Sequence, residues 1–400
     1  MSTKPRTAAV VTGTRADYGL LYGLLRELQA DDAFILQLVV TGMHLAPEFG
    51  NTQQDIRDDG FQIDARVDML LSGDAAVGTA KSLGMGVIGC ADALDRLDPD
   101  VLVVLGDRFE MFAAAQAALP LRIPTAHIHG GEVTEGAFDE SIRHSLTKIA
   151  HYHFVAAEPF RRRVIQMGEA PDRVFTVGAP GLDQIRYTDL LDRAAFEEAI
   201  GWSLEGPQTF LVTLHPATRT EWSADDLTGR LLRALDHFED AHLLFTKANA
   251  DPQGRRINRL IEDYCEDCER ARAYASLGRQ RYLSALQHVD VVVGNSSSGL
   301  IEAPAFDVPT VNVGRRQQGR PRGPSVIDCA PQTDAIIEAL ETAQSQPFQC
   351  AIEGKESPYG RGRTAEAIVR HLRELPFGEE ILSTSFYDLN RGADIAADSY

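Results

Sequence analysis

The stretch GGEVTEGAFDESIRH, residues 130–144, gathers Glu132, Glu135, Asp139 and Glu140 with Arg143 and His144 at the entrance to a helix. A further acid, Asp107, ends an apolar run in LVVLGDRFE. Carboxylates collected in one dry place raise one another's pKa, so that a proton donor and a proton acceptor coexist at neutral pH. Asp107, Glu132 and Asp139 are therefore candidates for acid–base chemistry, although a plain helix N-cap would account for Asp139 equally well. Glu135 and Glu140 fit a solvated surface. Ile142, Leu146 and Ile149 recur at helical spacing and form the core-facing stripe, which puts Arg143 and His144 off its axis, where they balance charge.

A second group of residues suits an anion. VDVVVGNSSSGLIEAPAF is a strand, a glycine, three serines and a helix. Ser296, Ser297 and Ser298 with the backbone N–H groups beside them could cradle a phosphate, and three hydroxyls exceed what capping one helix needs. Glu302, one turn further, is spaced to accept from a ribose diol. The loop GRRQQGRPRG, 314–323, carries Arg315, Arg316, Arg320 and Arg322, and Arg15 follows the first strand. Guanidinium forks recognise phosphate through paired hydrogen bonds. His215 ends TFLVTLHP and Asn249 ends LLFTKANAD, positions suited to hydrogen bonding a phosphate or sugar or to filling a strand end. The first strand is not followed by GxGxxG, and no GxxxxGK[ST] occurs, so any nucleotide is held without a dinucleotide fingerprint or a P-loop.

These residues need a frame that brings them together. Short runs rich in Val, Ile and Leu (TAAVVTG, AFILQLVVTG, FQIDARV, DVLVVLGD, IPTAHIHGG, YHFVAA, RVFTVGAP) alternate with helical patterns at 17–29, 74–97, 110–119, 139–150 and 159–168. That alternation predicts buried parallel strands in a βαβ series. After a polar break ending in GWSLEGPQ the series restarts with TFLVTLHP, AHLLFTKAN, ARAYAS, VDVVVGNSSSG and VPTVNVG. Two doubly wound α/β domains follow, over 1–188 and 189–372, with 373–400 as a tail that could return to the first domain. Helices are expected at 333–345 and 363–373. In open parallel sheets ligands bind beyond the carboxyl ends of the strands. The polar clusters sit at seven such ends spread over both domains, which predicts one ligand cleft between the domains.

The whole-chain properties narrow the function. The 400 residues carry a formal charge of −19, against a nucleic-acid or anionic-membrane partner, since those surfaces require clustered Lys and Arg. Five cysteines, an odd number in a long chain, read as reduced thiols. Cys265 and Cys268 form a lone CxxC on a polar helix, with no second pair to complete a zinc site. The N-terminus lacks a secretory pattern and no window reaches ~18 apolar residues, so a cytoplasmic location is expected.

Taken in order, TGTRADYGLL, TGMHLAPEFGNT, LGDRFE, HIHGGEVTEGAFDESIRHSLTKIAHYHF, LHPAT and GNSSSGLIEAPAFDVPTVNVGRRQQGR resemble the hydrolysing UDP-N-acetylglucosamine 2-epimerases of sialic- and legionaminic-acid pathways. The resemblance implies two Rossmann-like domains in a glycosyltransferase-B-like arrangement, with the nucleotide held mostly by the second. It implies a reaction without metal or cofactor, converting UDP-N-acetylglucosamine to N-acetylmannosamine and UDP through a 2-acetamidoglucal. Asp107, Glu132 and Asp139 would then do the acid–base work, with His215 and Arg143 in support. Arg15, Ser296, Ser297, Ser298, Arg316 and Arg320 would bind phosphate and Glu302 the ribose. His44 and Asn249 join the binding set, and Ser276 and Leu277 would lie against the base. A homodimer or homotetramer through the first domain is implied by the same analogy. Alternatives stay open: a UDP- or GDP-linked 2,4-diacetamido-2,4,6-trideoxyhexose as substrate, a non-hydrolysing epimerase, or a glycosyltransferase or inactive nucleotide-sugar sensor sharing the fold. RADYG in place of an RPE-type loop argues against the non-hydrolysing branch.

Overall fold

The computed structural model describes residues 4–47, 51–71, 76–133, 139–204, 206–216, 222–248, 254–383 and 385–389. Asn249, Glu135 and the end of the tail lie outside these residues. The chain divides into two compact units, residues 1–184 with 362–400, and residues 185–361.

The first unit begins with β1 (Arg6–Thr12), α1 (Arg15–Ala30), β2 (Phe34–Thr41), α2 (Gln53–Asp58), β3 (Ala65–Val67), α3 (Ala76–Leu97) and β4 (Val101–Leu105). It continues with α4 (Phe109–Ala118), β5 (Thr125–Ile128), α5 (Asp139–Ile149), β6 (Tyr152–Val155), α6 (Glu158–Gln166), β7 (Val174–Thr176) and α7 (Pro180–Asp183). The strands form a parallel sheet in the order β3-β2-β1-β4-β5-β6-β7. Alternate β1 residues feed opposite faces. Ala8 and Val10 pack with Leu21, Leu25 and Leu28 of α1, whereas Ala9 and Val11 pack on the side of Leu94 and Met111. Burial on both faces is why the strands read as continuous apolar runs.

The second unit comprises α8 (Arg193–Ile200), β8 (Gln208–Thr213), α9 (Ala224–Asp236), β9 (Ala241–Thr246), α10 (Gly254–Asp267), β10 (Ala271–Tyr274) and α11 (Gly278–His288). Then follow β11 (Val291–Gly294), α12 (Ser298–Ile301), β12 (Thr310–Val313), β13 (Val326–Cys329), α13 (Thr333–Gln344) and α14 (Gln346–Ile352). Its parallel sheet runs β10-β9-β8-β11-β12-β13. Both sheets reverse their strand order once, at β1/β4 and at β8/β11, the positions where open α/β sheets expose a crevice.

The expected boundary at residue 372 moves. Helix α15 (Thr364–Glu374), followed by α16 (Glu379–Leu382), belongs to the first unit, where Ile368, Val369 and Leu372 pack into the core with Leu21 and Leu25. Asp183, itself buried, accepts from the N–H groups of Thr364 (2.8 Å) and Ala365 (2.5 Å), and so caps α15 from α7. All five cysteines are free thiols. No helix among the described residues is long and apolar enough to cross a membrane.

Candidate active site

In the first unit the strand ends β1, β4 and β5 converge with the start of α5. Asp107 follows β4 after Gly106, and His129 to Glu132 follow β5. Arg143 binds them: its Nη2 donates to Asp107 Oδ2, its Nη1 donates to the His129 carbonyl at 2.8 Å and lies 3.9 Å from Glu132 Oε2. His129 Nδ1 is 2.8 Å from Glu132 Oε1. The helical periodicity put Arg143 off the buried stripe, yet it is only 6% exposed, because these partners let α5 bury a charge. His144 instead pairs with Glu140 at 3.6 Å.

Asp139 lies inside the first turn of α5, near the positive end of the helix dipole. Burial pushes its pKa up and the charge of Asp107 adds to that rise, against Arg108 and Arg143.

Beside them sits a group that sequence reasoning missed. Asp17, in the first turn of α1, is 6% exposed, and burial pushes its pKa up to about 6 despite Arg108, whose Nε is 3.7 Å away. Arg108 donates at 2.7 Å to Glu110 Oε1, and Glu110 is wholly buried. Gly13 and Gly42 make room for it: a Cβ at Gly42, where φ is +57, would stand 2.9 Å from Glu110 Oε1. The signal lay in RAD and DRFE, whose charges looked like ordinary first-turn residues.

His44 is buried, with Nε2 3.0 Å from Thr12 Oγ1 and Nδ1 2.7 Å from Thr52 Oγ1. Burial lowers its pKa to about 4. Both ring nitrogens are thus engaged within the fold. Arg15 opens α1 with its side chain exposed, 3.6 Å from Asp55.

In the second unit, Asn295 joins the ends of β8 and β11. Its Oδ1 accepts from the His215 N–H (2.7 Å), and its Nδ2 donates to the His215 carbonyl (2.9 Å). Arg316 Nη1 (3.1 Å) and Gln317 Nε2 (2.9 Å) donate to the Asn295 carbonyl, which moors the arginine loop to the same strand end. Gly294 permits the close approach: at φ +133, an added Cβ would fall 1.9 Å from the Thr213 carbonyl oxygen. Asn295 and Gln317 were not singled out in the sequence.

The three serines have different partners. Ser297, at the N-cap of the one-turn α12, makes no side-chain cap bond. Ser298 Oγ accepts from Tyr282 at 2.5 Å, and Ser296 Oγ accepts from the N–H of Ser298, the first residue of α12, at 3.4 Å. Burial raises the pKa of Glu302, with Ser298 and Arg320 opposing, and its Oε2 has no hydrogen-bond partner among the described residues. A buried acceptor left open here suits a ligand hydroxyl. Ser276 is exposed and accepts from the Gly278 N–H (3.1 Å), whereas Leu277 is buried at the start of α11. Among the described residues no cluster of three or more His, Cys, Asp or Glu has metal-holding geometry.

The sequence profile described as UDP-N-acetylglucosamine 2-epimerase matches residues 26–373. A Campylobacter jejuni protein named GDP/UDP-N,N'-diacetylbacillosamine 2-epimerase (hydrolyzing) is 38% identical over 86% of this chain and 89% of its own. A Legionella pneumophila protein named UDP-N,N'-diacetylbacillosamine 2-epimerase (hydrolyzing) is 36% identical over 94% of this chain and 98% of its own. Among solved structures, UDP-GlcNAc 2-epimerase from Neisseria meningitidis bound to UDP-GlcNAc superimposes with a TM-score of 0.76 at 18% identity, covering 92% of this chain and 100% of that one, a likeness of fold. A profile match across most of the chain and relatives well above 30% identity agree with the strand-end clusters: the chain belongs to the UDP-N-acetylglucosamine 2-epimerase family.

Proposed function

We propose that the chain is a hydrolysing 2-epimerase of a UDP-linked 2-acetamido sugar. A base removes the C2 proton, the C2–H electron pair becomes the C1=C2 bond, and the C1–O pair leaves with UDP. Water then adds, hydroxyl to C1 and hydrogen to C2 on the opposite face, which releases the free manno-configured sugar. The observation that carries this reading is the cluster of Asp107, Glu132 and Asp139 around Arg143, where burial and the charge of Asp107 push the pKa of Asp139 up. The C2 hydrogen is barely acidic, so its removal needs a placed base, and reprotonation from the other face needs a second group. The departing diphosphate needs cations and N–H donors, the chemistry of Arg316, Arg320 and the serine turn.

UDP-N-acetylglucosamine is the simplest substrate. A second reading, a UDP-linked 2,4-diacetamido-2,4,6-trideoxyhexose, is favoured by the relatives of 38% and 36% identity, both named for N,N'-diacetylbacillosamine. Incubation with either nucleotide sugar in D2O, followed by NMR, is expected to yield free UDP and a manno-configured sugar deuterated at C2. Product without deuterium, or a UDP-linked epimer, would sink the proposal; the ratio of kcat/KM values assigns the sugar.

We further infer a cytoplasmic homo-oligomer. Free thiols suit a reducing compartment, and α3 leaves Val77, Met85 and Ile88 exposed in a helical stripe suited to a second copy. Light scattering tests the oligomer: a monomer at micromolar concentration refutes it.

A further inference from the structure

His129 follows β5 with φ +66, the left-handed region that a residue with a side chain enters at a cost and holds where its surroundings impose it. Gly131, also left-handed, has no space for a Cβ, which would sit 2.4 Å from the Phe160 carbonyl oxygen. The chain thus turns sharply over three residues and brings Glu132 back onto the imidazole, with Nδ1 2.8 Å from Oε1. A carboxylate oxygen accepts, so the hydrogen of this contact lies on Nδ1. Nε2 is shielded from solvent and has no hydrogen-bond partner among the described residues. The left-handed turn also presents the His129 carbonyl to Arg143 Nη1 at 2.8 Å, the guanidinium that binds Asp107.

We propose that His129 is the positioning residue of the acid–base centre: its Nδ1–H aims the Glu132 carboxylate, and its left-handed backbone supplies the carbonyl that fixes Arg143 between Asp107 and Glu132. The inference rests on the reading of Glu132 as an acid–base group. The charged and titratable described residues around the pair are Arg143 of α5, Arg163 of α6, which donates to the Gly131 carbonyl, His127 of β5, and Asp107 after β4. All of them remain in the variants below, so a change in pH profile reports on position 129.

Three substitutions separate the two roles. Asparagine tolerates the left-handed conformation and places an amide N–H near the position of Nδ1–H; glycine keeps the backbone alone; leucine keeps neither. His129→Asn is expected to hold kcat within roughly 3-fold of wild type with an unshifted acid limb in the kcat/KM profile. His129→Gly is expected to lose about 100-fold in kcat, with KM little changed and the acid limb moved upward, because a carboxylate that loses a donor binds its proton more tightly. His129→Leu should lose more, and all three should melt cooperatively and bind UDP. A wild-type rate and profile in His129→Gly overturns the inference, as does His129→Asn performing no better than His129→Leu. Lowered melting in all three with unchanged kcat assigns a structural role and overturns it too. Glu132→Gln at near-wild-type rate removes the reading of Glu132 itself; an inactive Glu132→Gln beside a fully active His129→Gly removes the positioning role alone.

Discussion

Asp107 and Glu132 are joined through one guanidinium, so removing either carboxylate also disturbs the other. Asp107→Asn and Glu132→Gln are each expected to lose at least ~100-fold in turnover while still binding UDP, the range of acid–base contributions. Near-wild-type rates in both, measured by UDP release, would refute their roles. Asp17 gives a prediction of a different kind. Its pKa is raised to about 6, above the ordinary aspartate value, so between those values the folded protein holds a proton that the unfolded chain has released. Stability from this site is fully present in acid and is lost as the pH rises through about 6. A shift of about two units corresponds to on the order of 3 kcal/mol. Asp17→Asn cannot titrate, so its stability relative to wild type, read from urea unfolding, should rise by that order between about pH 4 and 7. A difference that stays flat with pH would show that Asp17 is not desolvated.

At the scale of elements, α15 shows what a distant residue can do. Asp183 satisfies two backbone donors at the start of a helix some 180 positions later. Asp183→Ala would leave both N–H groups buried and unpaired, at an expected cost of about 2–4 kcal/mol in urea unfolding. A loss under ~0.5 kcal/mol would show that water replaces the carboxylate. Twelve of the thirteen strands among the described residues were legible in the sequence, because doubly buried parallel strands leave apolar runs that end in polar clusters, whereas β13, a partly exposed edge strand, left no such run. The boundaries of α3, α4, α5 and α13 fell within about two residues of the periodicity for the same reason. The allegiance of α15 was not legible, since an amphipathic helix records that it has a core to face but not which one. The same holds within the candidate site. Carboxylates at strand ends stand out, whereas the burial of Arg143, the clasp of Asn295 on His215 and the pairing of His129 with Glu132 depend on turns and neighbours that spacing alone does not reveal.

For the whole molecule, a charge of −19 means that an anionic ligand depends on local positive sites, the role proposed for the arginine loop moored at Asn295. Residues 185–361 form a continuous unit with their own cores, so this segment expressed alone should fold and bind UDP. Calorimetry showing no heat with UDP, from a segment that melts cooperatively, would mean that the unit does not carry the nucleotide site. The first unit is discontinuous, and that has a consequence for how the protein is made. Its sheet is complete by residue 184, but Ile368, Val369 and Leu372 reach its core only after the 177 residues of the second unit, 185–361, have been added. At ~5–20 residues per second, the half-covered sheet waits roughly 10–35 s on the ribosome, while the unit translated later can close before it. During that interval the apolar surface that α15 later covers faces solvent.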